Sequence, residues 1–355
     1  ASVISNADAS LVLTTCDLLP KVRQAMQEHA SGREFFIVTT DDLDLAQLVG
    51  ARTEIIRQDD LAFLQYTSGS TSTPKGVMVS HGNLLANQRM IHDAFQGTRD
   101  SIVLGWLPLY HDMGLIGNVL QTLWMGARCI LMSPASFLHR PTQWLEAISK
   151  YGATISGGPD FAYRLCAEKI TGDLPSTINL SHWHVAFNGS EPIRPGTMER
   201  FAERFAPCGF RRNAFVPCYG LAEATLFVSG IRAGESTALY RFDAEKLRKN
   251  LAVQDGMLAN NRVLAGSGTV AKGLRVKIVD PETSTQVDFG RVGEIWVNGA
   301  SVARGYWRNQ RATEEVFHAR TASSDALFLR TGDLGFRMGD ELFVTGRLKD
   351  LIIVR

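Results

Sequence analysis

An α/β fold of layered, largely parallel sheets flanked by helices, followed by a β-rich, barrel-like subdomain, is what the sequence predicts, and three observations carry it. From residue 60 to about 225, short apolar runs alternate with helix-length stretches, the pattern of strand–helix–strand units. After about Leu226 the texture shifts to runs that alternate or stay apolar between turn residues. Near the start of the first region, a hydroxyl- and glycine-rich loop, Tyr66-Thr67-Ser68-Gly69-Ser70-Thr71-Ser72-Thr73-Pro74-Lys75-Gly76, sits between two apolar runs.

In chain order, residues 1–8 read as the tail of a helix running into a strand at 10–15, so the chain is expected to begin in mid-fold. Residues 18–30 read as a helix and 35–39 as a strand. Ala62-Phe63-Leu64 reads as a buried strand, Val77-Met78-Val79 as a second, and a helix follows. Further strands are expected at Ile102-Val103-Leu104, Cys129-Ile130-Leu131 and Val185-Ala186-Phe187, with helices at 115–124, 141–151 and 195–205. Pro141 and Pro195 suit a helix's first turn, where the missing N–H costs nothing. In such sheets ligands gather beyond the strand ends. In the second region, residues 274–279, 293–297 and 341–344 read as strands. Residues 239–267 are polar and helix-like over 243–251, and read as an insertion. The expected divisions are therefore 1–225, 226–346 and a tail at 347–355. No internal repeat appears.

The totals exclude several classes. A chain of 355 residues that is 45% hydrophobic and 21% charged is an ordinary globular protein. Lys plus Arg is 37 against 36 for Asp plus Glu, which offers no surface for nucleic acid. No apolar run reaches a membrane span and no signal peptide opens the chain, so a cytoplasmic protein is expected. Cys16, Cys129, Cys166, Cys208 and Cys218 are scattered without a C-x-x-C, and read as reduced, mostly buried thiols. His182 and His184 around Trp183 read as outward residues of a strand rather than as a metal site.

The loop at 66–76 is suited to phosphate. Hydroxyls and bare N–H groups donate hydrogen bonds, Lys75 adds a point charge, and Gly69 and Gly76 let the backbone approach closely. It is not the G-x-x-x-x-G-K-[ST] pattern, since Gly76 follows Lys75. A Ser/Gly linker is the bland alternative, but linkers do not usually lie between apolar strands. Five more stretches stand out: Trp106-Leu107-Pro108-Leu109-Tyr110-His111-Asp112-Met113-Gly114-Leu115, Asn188-Gly189-Ser190-Glu191-Pro192, Tyr219-Gly220-Leu221-Ala222-Glu223-Ala224-Thr225, Leu329-Arg330-Thr331-Gly332-Asp333-Leu334-Gly335, and Gly346-Arg347-Leu348-Lys349-Asp350-Leu351. His111 at a strand-to-helix junction can line a site, although a lone histidine is more often structural. Tyr219 beside a glycine can offer its ring to a flat base, Glu223 a hard oxygen to Mg²⁺, and Asp333 an acceptor to two ribose hydroxyls. Singly, each stretch reads as a turn.

Taken in this order, the stretches resemble the adenylate-forming superfamily of acyl-CoA synthetases, adenylation domains and luciferases, over nearly the whole chain. The wording of Leu64-Gln65-Tyr66-Thr67-Ser68-Gly69-Ser70-Thr71, Tyr110-His111-Asp112-Met113-Gly114-Leu115, Ser136-Phe137-Leu138 and Tyr219-Gly220-Leu221-Ala222-Glu223-Ala224-Thr225 is most similar to the fatty acyl-AMP ligases. The insertion at 239–267 falls where those ligases carry theirs. The resemblance implies that Thr67, Ser68, Gly69, Ser70, Thr71 and Lys75 hold the β- and γ-phosphates of ATP. It implies that Gly189, Ser190, Glu191, Tyr219, Gly220, Leu221 and Ala222 frame adenine, with Tyr219 stacked on it. Glu223 would bind Mg²⁺, Asp333 and Arg347 the ribose, and His111 would lie near the reacting carboxylate at the mouth of an acyl tunnel. The chemistry would fall to His111, Lys75, Glu223 and Thr67.

The implied reaction joins a fatty acid to AMP with loss of pyrophosphate, for transfer to the phosphopantetheine thiol of an acyl carrier protein or polyketide synthase carrier domain. A fatty acyl-CoA ligase and a non-catalytic nucleotide- or acyl-binding homologue are the alternatives. Asp350 would be the hinge to a smaller C-terminal domain bearing a lysine that acts at the α-phosphate. The expectation is thus a large domain truncated at both ends.

Overall fold

Strands buried on both faces have no side to give to water, and three of them, Ile155–Gly158, Val185–Asn188 and Phe227–Gly230, lie at the centre of the sheet. The computed structural model describes residues 2–29, 36–43, 54–67, 74–172, 177–254 and 260–350. In chain order the strands are β1 (Leu11–Thr14), β2 (Phe36–Thr39), β3 (Leu61–Thr67), β4 (Lys75–Ser80), β5 (Ile102–Gly105), β6 (Arg128–Leu131), β7 (Ile155–Gly158), β8 (Val185–Asn188) and β9 (Phe215–Gly220). There follow β10 (Phe227–Gly230), β11 (Leu239–Asp243), β12 (Asn261–Ala265), β13 (Thr269–Val270), β14 (Leu274–Val279), β15 (Gly293–Gly299), β16 (Ala319–Thr321), β17 (Ser324–Met338) and β18 (Glu341–Arg347).

One sheet of 12 strands runs β14-β15-β17-β18-β13-β10-β9-β8-β7-β5-β6, with β16 paired to β17. From β6 to β9 the pairing is parallel, and the helices Thr142–Tyr151, Asp160–Lys169 and Pro195–Phe205 supply the crossovers. Their aromatic faces meet in one core, where Trp144, Tyr163, Trp183 and Phe201 are fully buried. Buried indoles need partners, and Trp144 Nε1 donates to Ser156 Oγ at 2.8 Å.

Beyond β9 the sheet continues antiparallel. The turn after Gly220 is so tight that a Cβ there would lie 1.7 Å from the Leu226 carbonyl oxygen, so only glycine fits. That turn makes β10 the next strand of the same sheet, and among the described residues the β-rich region does not close into a barrel. The expected division at 225/226 falls inside this turn.

The elements read from sequence form with small shifts: helices at Ser2–Ala7, Leu19–His29 and His81–Phe95, strands at β1 and β2. Residue 35, expected in the second strand, lies outside the described residues. The stretch expected as a helix over 115–124 is a wide, π-helical run, Met113–Leu120, leading into Gln121–Met125. β3 and β4 form their own hairpin. Ala62, Phe63 and Leu64 are therefore only half-buried, while Val77 and Val79 on β4 take the core positions. His182 and His184 do face outward, but from the loop before β8 rather than from a strand. All five cysteines are free. Only Cys166 and Cys208 are buried, fewer than the sequence suggests. No described helix is long and apolar enough to cross a membrane.

The insertion is an antiparallel pair, β11 with β12, and a short helix, Ala244–Arg248, capped by Asp243. Its anchors are apolar, and the principal one is Phe242, fully buried edge-on against Phe336 at 5.2 Å and Phe343 at 5.6 Å. Beside it Leu247 is buried and Leu251 half-buried. Phe242→Ala should cost about 3–5 kcal/mol, as for other buried phenylalanines. Urea unfolding would measure it, and a loss below about 1 kcal/mol would mean that the insertion is not anchored there.

Candidate functional site

Three pieces of chain meet beyond the ends of β8 and β9. The first is the β3–β4 hairpin. Thr67 closes β3 and pairs with Lys75, which opens β4. Ser68, Gly69, Ser70 and Thr71 lie outside the described residues. The Lys75 ammonium stands over the Tyr306 ring, 4.9 Å from its centroid.

The second piece is the turn after β9. Tyr219 is buried, and its hydroxyl donates to Asp333 Oδ2 at 2.7 Å. Gly220 and half-buried Leu221 lead into a single 3₁₀ turn, Ala222–Ala224, which carries Glu223. Tyr306 donates to Glu223 Oε1 at 2.7 Å. This turn is held from behind by the helix His81–Phe95. Its Asn87 amide accepts from Phe227 N at 3.0 Å and donates to Phe227 O at 2.9 Å. Thr225 is held at φ +71°, an unusual backbone for a β-branched residue, and its hydroxyl bonds Ser301 O.

The third is β17 and the end of β18. Asp333 is 7% exposed and also accepts from Arg347 Nε at 3.2 Å. Glu294, itself buried, fixes the approach by accepting from Arg330 and from Gly332 N. Arg347 is largely exposed.

Burial raises the Glu223 carboxyl above its ordinary range. The Tyr306 hydroxyl opposes that shift, and the negative charges of Asp112 and Asp333 add to it. Burial also raises Asp333, opposed by Tyr219 and Arg347. Each carboxylate is thus desolvated and met by one tyrosine hydroxyl. Among the described residues, no group of three or more His, Cys, Asp or Glu is arranged to hold a metal by itself. A single hard carboxylate oxygen nevertheless fits Mg²⁺, which keeps waters and takes phosphate oxygens for the rest of its shell.

The Asn188-Gly189-Ser190-Glu191 stretch follows β8. Gly189 is buried, and Ser190 adopts φ +70°. Glu191 spends its Oε1 on the backbone N–H of Phe161, at the start of the helix Asp160–Lys169. Its carboxylate is thereby engaged by the neighbouring helix. The His111 side chain is 49% exposed, and its Nδ1 is 2.7 Å from Asp112 Oδ1. That hydrogen bond raises the histidine's pKa against the effect of burial. A narrow, mostly apolar cavity opens beside Asp112 and Tyr219 and runs between Ile91, Phe95, Phe187 and Leu226.

The structure therefore brings Lys75, Glu223, Tyr219, Asp333 and Arg347 around one cleft, with His111 bonded to Asp112, which lines the apolar cavity. Sequence reasoning missed Tyr306, Asp112 and Asn87. A signal for Tyr306 existed in Arg304-Gly305-Tyr306-Trp307, a glycine before two aromatics. Asn87 gave none, since its partners lie 140 positions away in sequence.

Known proteins place this arrangement. Residues 1–307 match the family of AMP-binding enzymes, and the chain belongs to it. It is 42% identical to the medium-chain-fatty-acid–[acyl-carrier-protein] ligase JamA of Moorena producens, over 100% of this chain and 61% of that protein. It is 44% identical to a ligase of the same description, TtuA of Teredinibacter turnerae, over 84% of this chain and 48% of that one. Among solved structures, it superposes with a TM-score of 0.92 and 42% identity on a fatty acyl-adenylate ligase from L. pneumophila in complex with acyl adenylate and pyrophosphate, covering 99% of this chain and 61% of that one. It superposes on the adenylation domain of a keto acid-selecting NRPS module at 0.87 and 26%, covering 99% and 65%. The chain thus spans less than two thirds of the length of each.

The His111–Asp112 pair makes a measurable prediction. Because the bond to Asp112 favours the imidazolium, the NMR titration midpoint of His111 should lie above 6.5. In Asp112→Asn it should fall to that value or below, since burial is then unopposed. A midpoint unmoved by the substitution would contradict the pairing.

Proposed function

We propose that this chain supplies the nucleotide- and acyl-binding part of an ATP-dependent ligase that converts a fatty acid to its acyl-adenylate. The acyl group then passes to the phosphopantetheine thiol of an acyl carrier protein or carrier domain. The observation that carries this reading is the cleft itself. The Glu223 and Asp333 carboxylates accept from the hydroxyls of Tyr306 and Tyr219, Lys75 stands over the Tyr306 ring, and Tyr219 also lines the apolar cavity. The relatives' names support the fatty acid and the carrier protein.

In this reading a carboxylate oxygen of the fatty acid attacks the α-phosphorus of ATP. The bond from that phosphorus to the bridging oxygen breaks, and pyrophosphate leaves. Two anions must meet, so most of the barrier is electrostatic and positional. Lys75 and the hydroxyl loop beginning at Thr67 hold the β- and γ-phosphates. Tyr219 offers its ring to adenine, and Asp333 accepts from the ribose hydroxyls, with Arg347 beside it. Mg²⁺ on Glu223 would neutralise the phosphate charge. Ile91, Phe95, Phe187 and Leu226 sheathe the acyl chain and exclude water, while His111 stands at the cavity mouth near the carboxylate.

The test is pyrophosphate release by the full-length protein across fatty acids of graded length. Glu223→Gln keeps the shape and removes the charge, and should slow release roughly 10²-fold or more. Unchanged release by this variant would sink the assignment.

The insertion at 239–267 bears on the acyl acceptor. Its seat on Phe336 and Phe343 supports a role in restraining the hinge motion that would admit coenzyme A. Deleting residues 243–262 from the full-length protein should let acyl-CoA form from ATP, fatty acid and coenzyme A. If acyl-AMP still forms and acyl-CoA does not, the insertion is not the barrier.

A further inference from the structure

We propose that Tyr306 is a positioning residue that fixes Glu223 for its metal and seats Lys75 for phosphate; this rests on the nucleotide reading above. The segment 303–307 is strung between the two halves of the cleft. At one end Ala303 N donates to the Glu223 carbonyl at 2.9 Å, tying down the turn that carries the carboxylate. Along its length it runs beside β4. Met78 N donates to Gly305 O at 2.9 Å, Trp307 N donates to Gly76 O at 2.7 Å, and Val77 bridges to Tyr306. The strand that begins with Lys75 and the turn that carries Glu223 thus share one clasp.

The side chain of Tyr306 completes it. Its hydroxyl meets Glu223 Oε1 at 2.7 Å, and its ring lies under the Lys75 ammonium at 4.9 Å. The residue is 6% exposed, and Phe317 packs edge-on against the ring at 5.1 Å. Its N–H donates to Thr313 Oγ1 at 2.9 Å. Gly305 before it takes φ +138°, where a Cβ would lie 2.3 Å from Thr313 Cγ2, so the close approach requires glycine. A tyrosine held at ring, backbone and hydroxyl has one orientation to offer.

That orientation matters because a carboxylate with one oxygen tied has lost its freedom to rotate, and hydrogen bonds to metal-bound carboxylates tune the metal's affinity. The same bond is strengthened by the low dielectric around it. Tyr306 never needs to touch the nucleotide. It acts through Glu223 and Lys75.

The experiment is calorimetric titration of the full-length protein with ATP at stepped Mg²⁺ concentrations. Tyr306→Phe keeps the ring and removes the hydroxyl. The Mg²⁺ concentration that half-saturates ATP binding should rise about tenfold, the usual effect of losing such a partner. Metal-free ATP binding should stay unchanged, because Lys75 keeps its seat. In a Glu223→Gln background the same substitution should have no further effect on the Mg²⁺ dependence, which a merely structural role would not predict. Tyr306→Met, which removes the ring as well, should weaken metal-free ATP binding too. Equal Mg²⁺ dependence in wild type and Tyr306→Phe, with both folded by thermal melting, overturns the positioning role alone. Absence of ATP binding by the wild type at every Mg²⁺ concentration overturns the nucleotide reading, and this inference with it.

Discussion

Two carboxylates in one cleft, Asp333 buried and Glu223 half-buried, set the terms for the rest of this protein. Glu223 and Asp333 are both raised by burial, and each is met by a single tyrosine hydroxyl, from Tyr306 and Tyr219. A hydroxyl satisfies one lone pair of a carboxylate but cannot neutralise its charge. At Asp333 the Arg347 guanidinium adds a partial answer from the surface, while at the Glu223 end Lys75 stands over the Tyr306 ring. A cleft so arranged favours a ligand that brings a cation and hydroxyl donors. A metal nucleotide brings both.

The sheet explains how residues so far apart in sequence meet. Five parallel strands deliver the ends of β8 and β9 to one edge of the cleft. The tight turn at Gly220 then folds β10 back, and the antiparallel strands beyond it return β17, with Asp333, to the same place. Asn83 and Asn87 on one helix fasten the loops 300–302 and 224–227 from behind. The helix is able to do so because Ser80 and Asn83 cap its start reciprocally, leaving the Asn83 amide nitrogen free to reach across. The fold's rigidity at the cleft is therefore a matter of side-chain amides as much as of apolar packing.

Much of this was legible beforehand. Alternating apolar runs marked the parallel strands, since a strand buried on both faces cannot hide its composition. The order of the polar stretches pointed to the cleft, because Lys75, Tyr219 and Glu223 each sit where a strand begins or ends, while Asp333 lies within β17 beside Gly332 at φ +72°. What stayed hidden depends on long-range pairing. Nothing local distinguishes Asn87 from a solvated helical asparagine, or Phe242 from any aromatic in a polar stretch. The continuity of β9 with β10 was missed because a short antiparallel return looks, in sequence, like the start of a new subdomain. Glu191 reads as part of the cleft because it follows Gly189 and Ser190, and nothing local shows that its Oε1 accepts from Phe161 N at the start of a helix.

The account turns on one ligand lying across both carboxylates and the apolar cavity at once. The most direct test is a crystal structure of the full-length protein with a nonhydrolysable acyl-adenylate mimic. The ribose hydroxyls should bond Asp333, the adenine should lie on the Tyr219 ring, and the acyl chain should run between Phe95, Phe187 and Leu226. A mimic bound with its ribose away from Asp333, or its chain outside that cavity, would contradict the account.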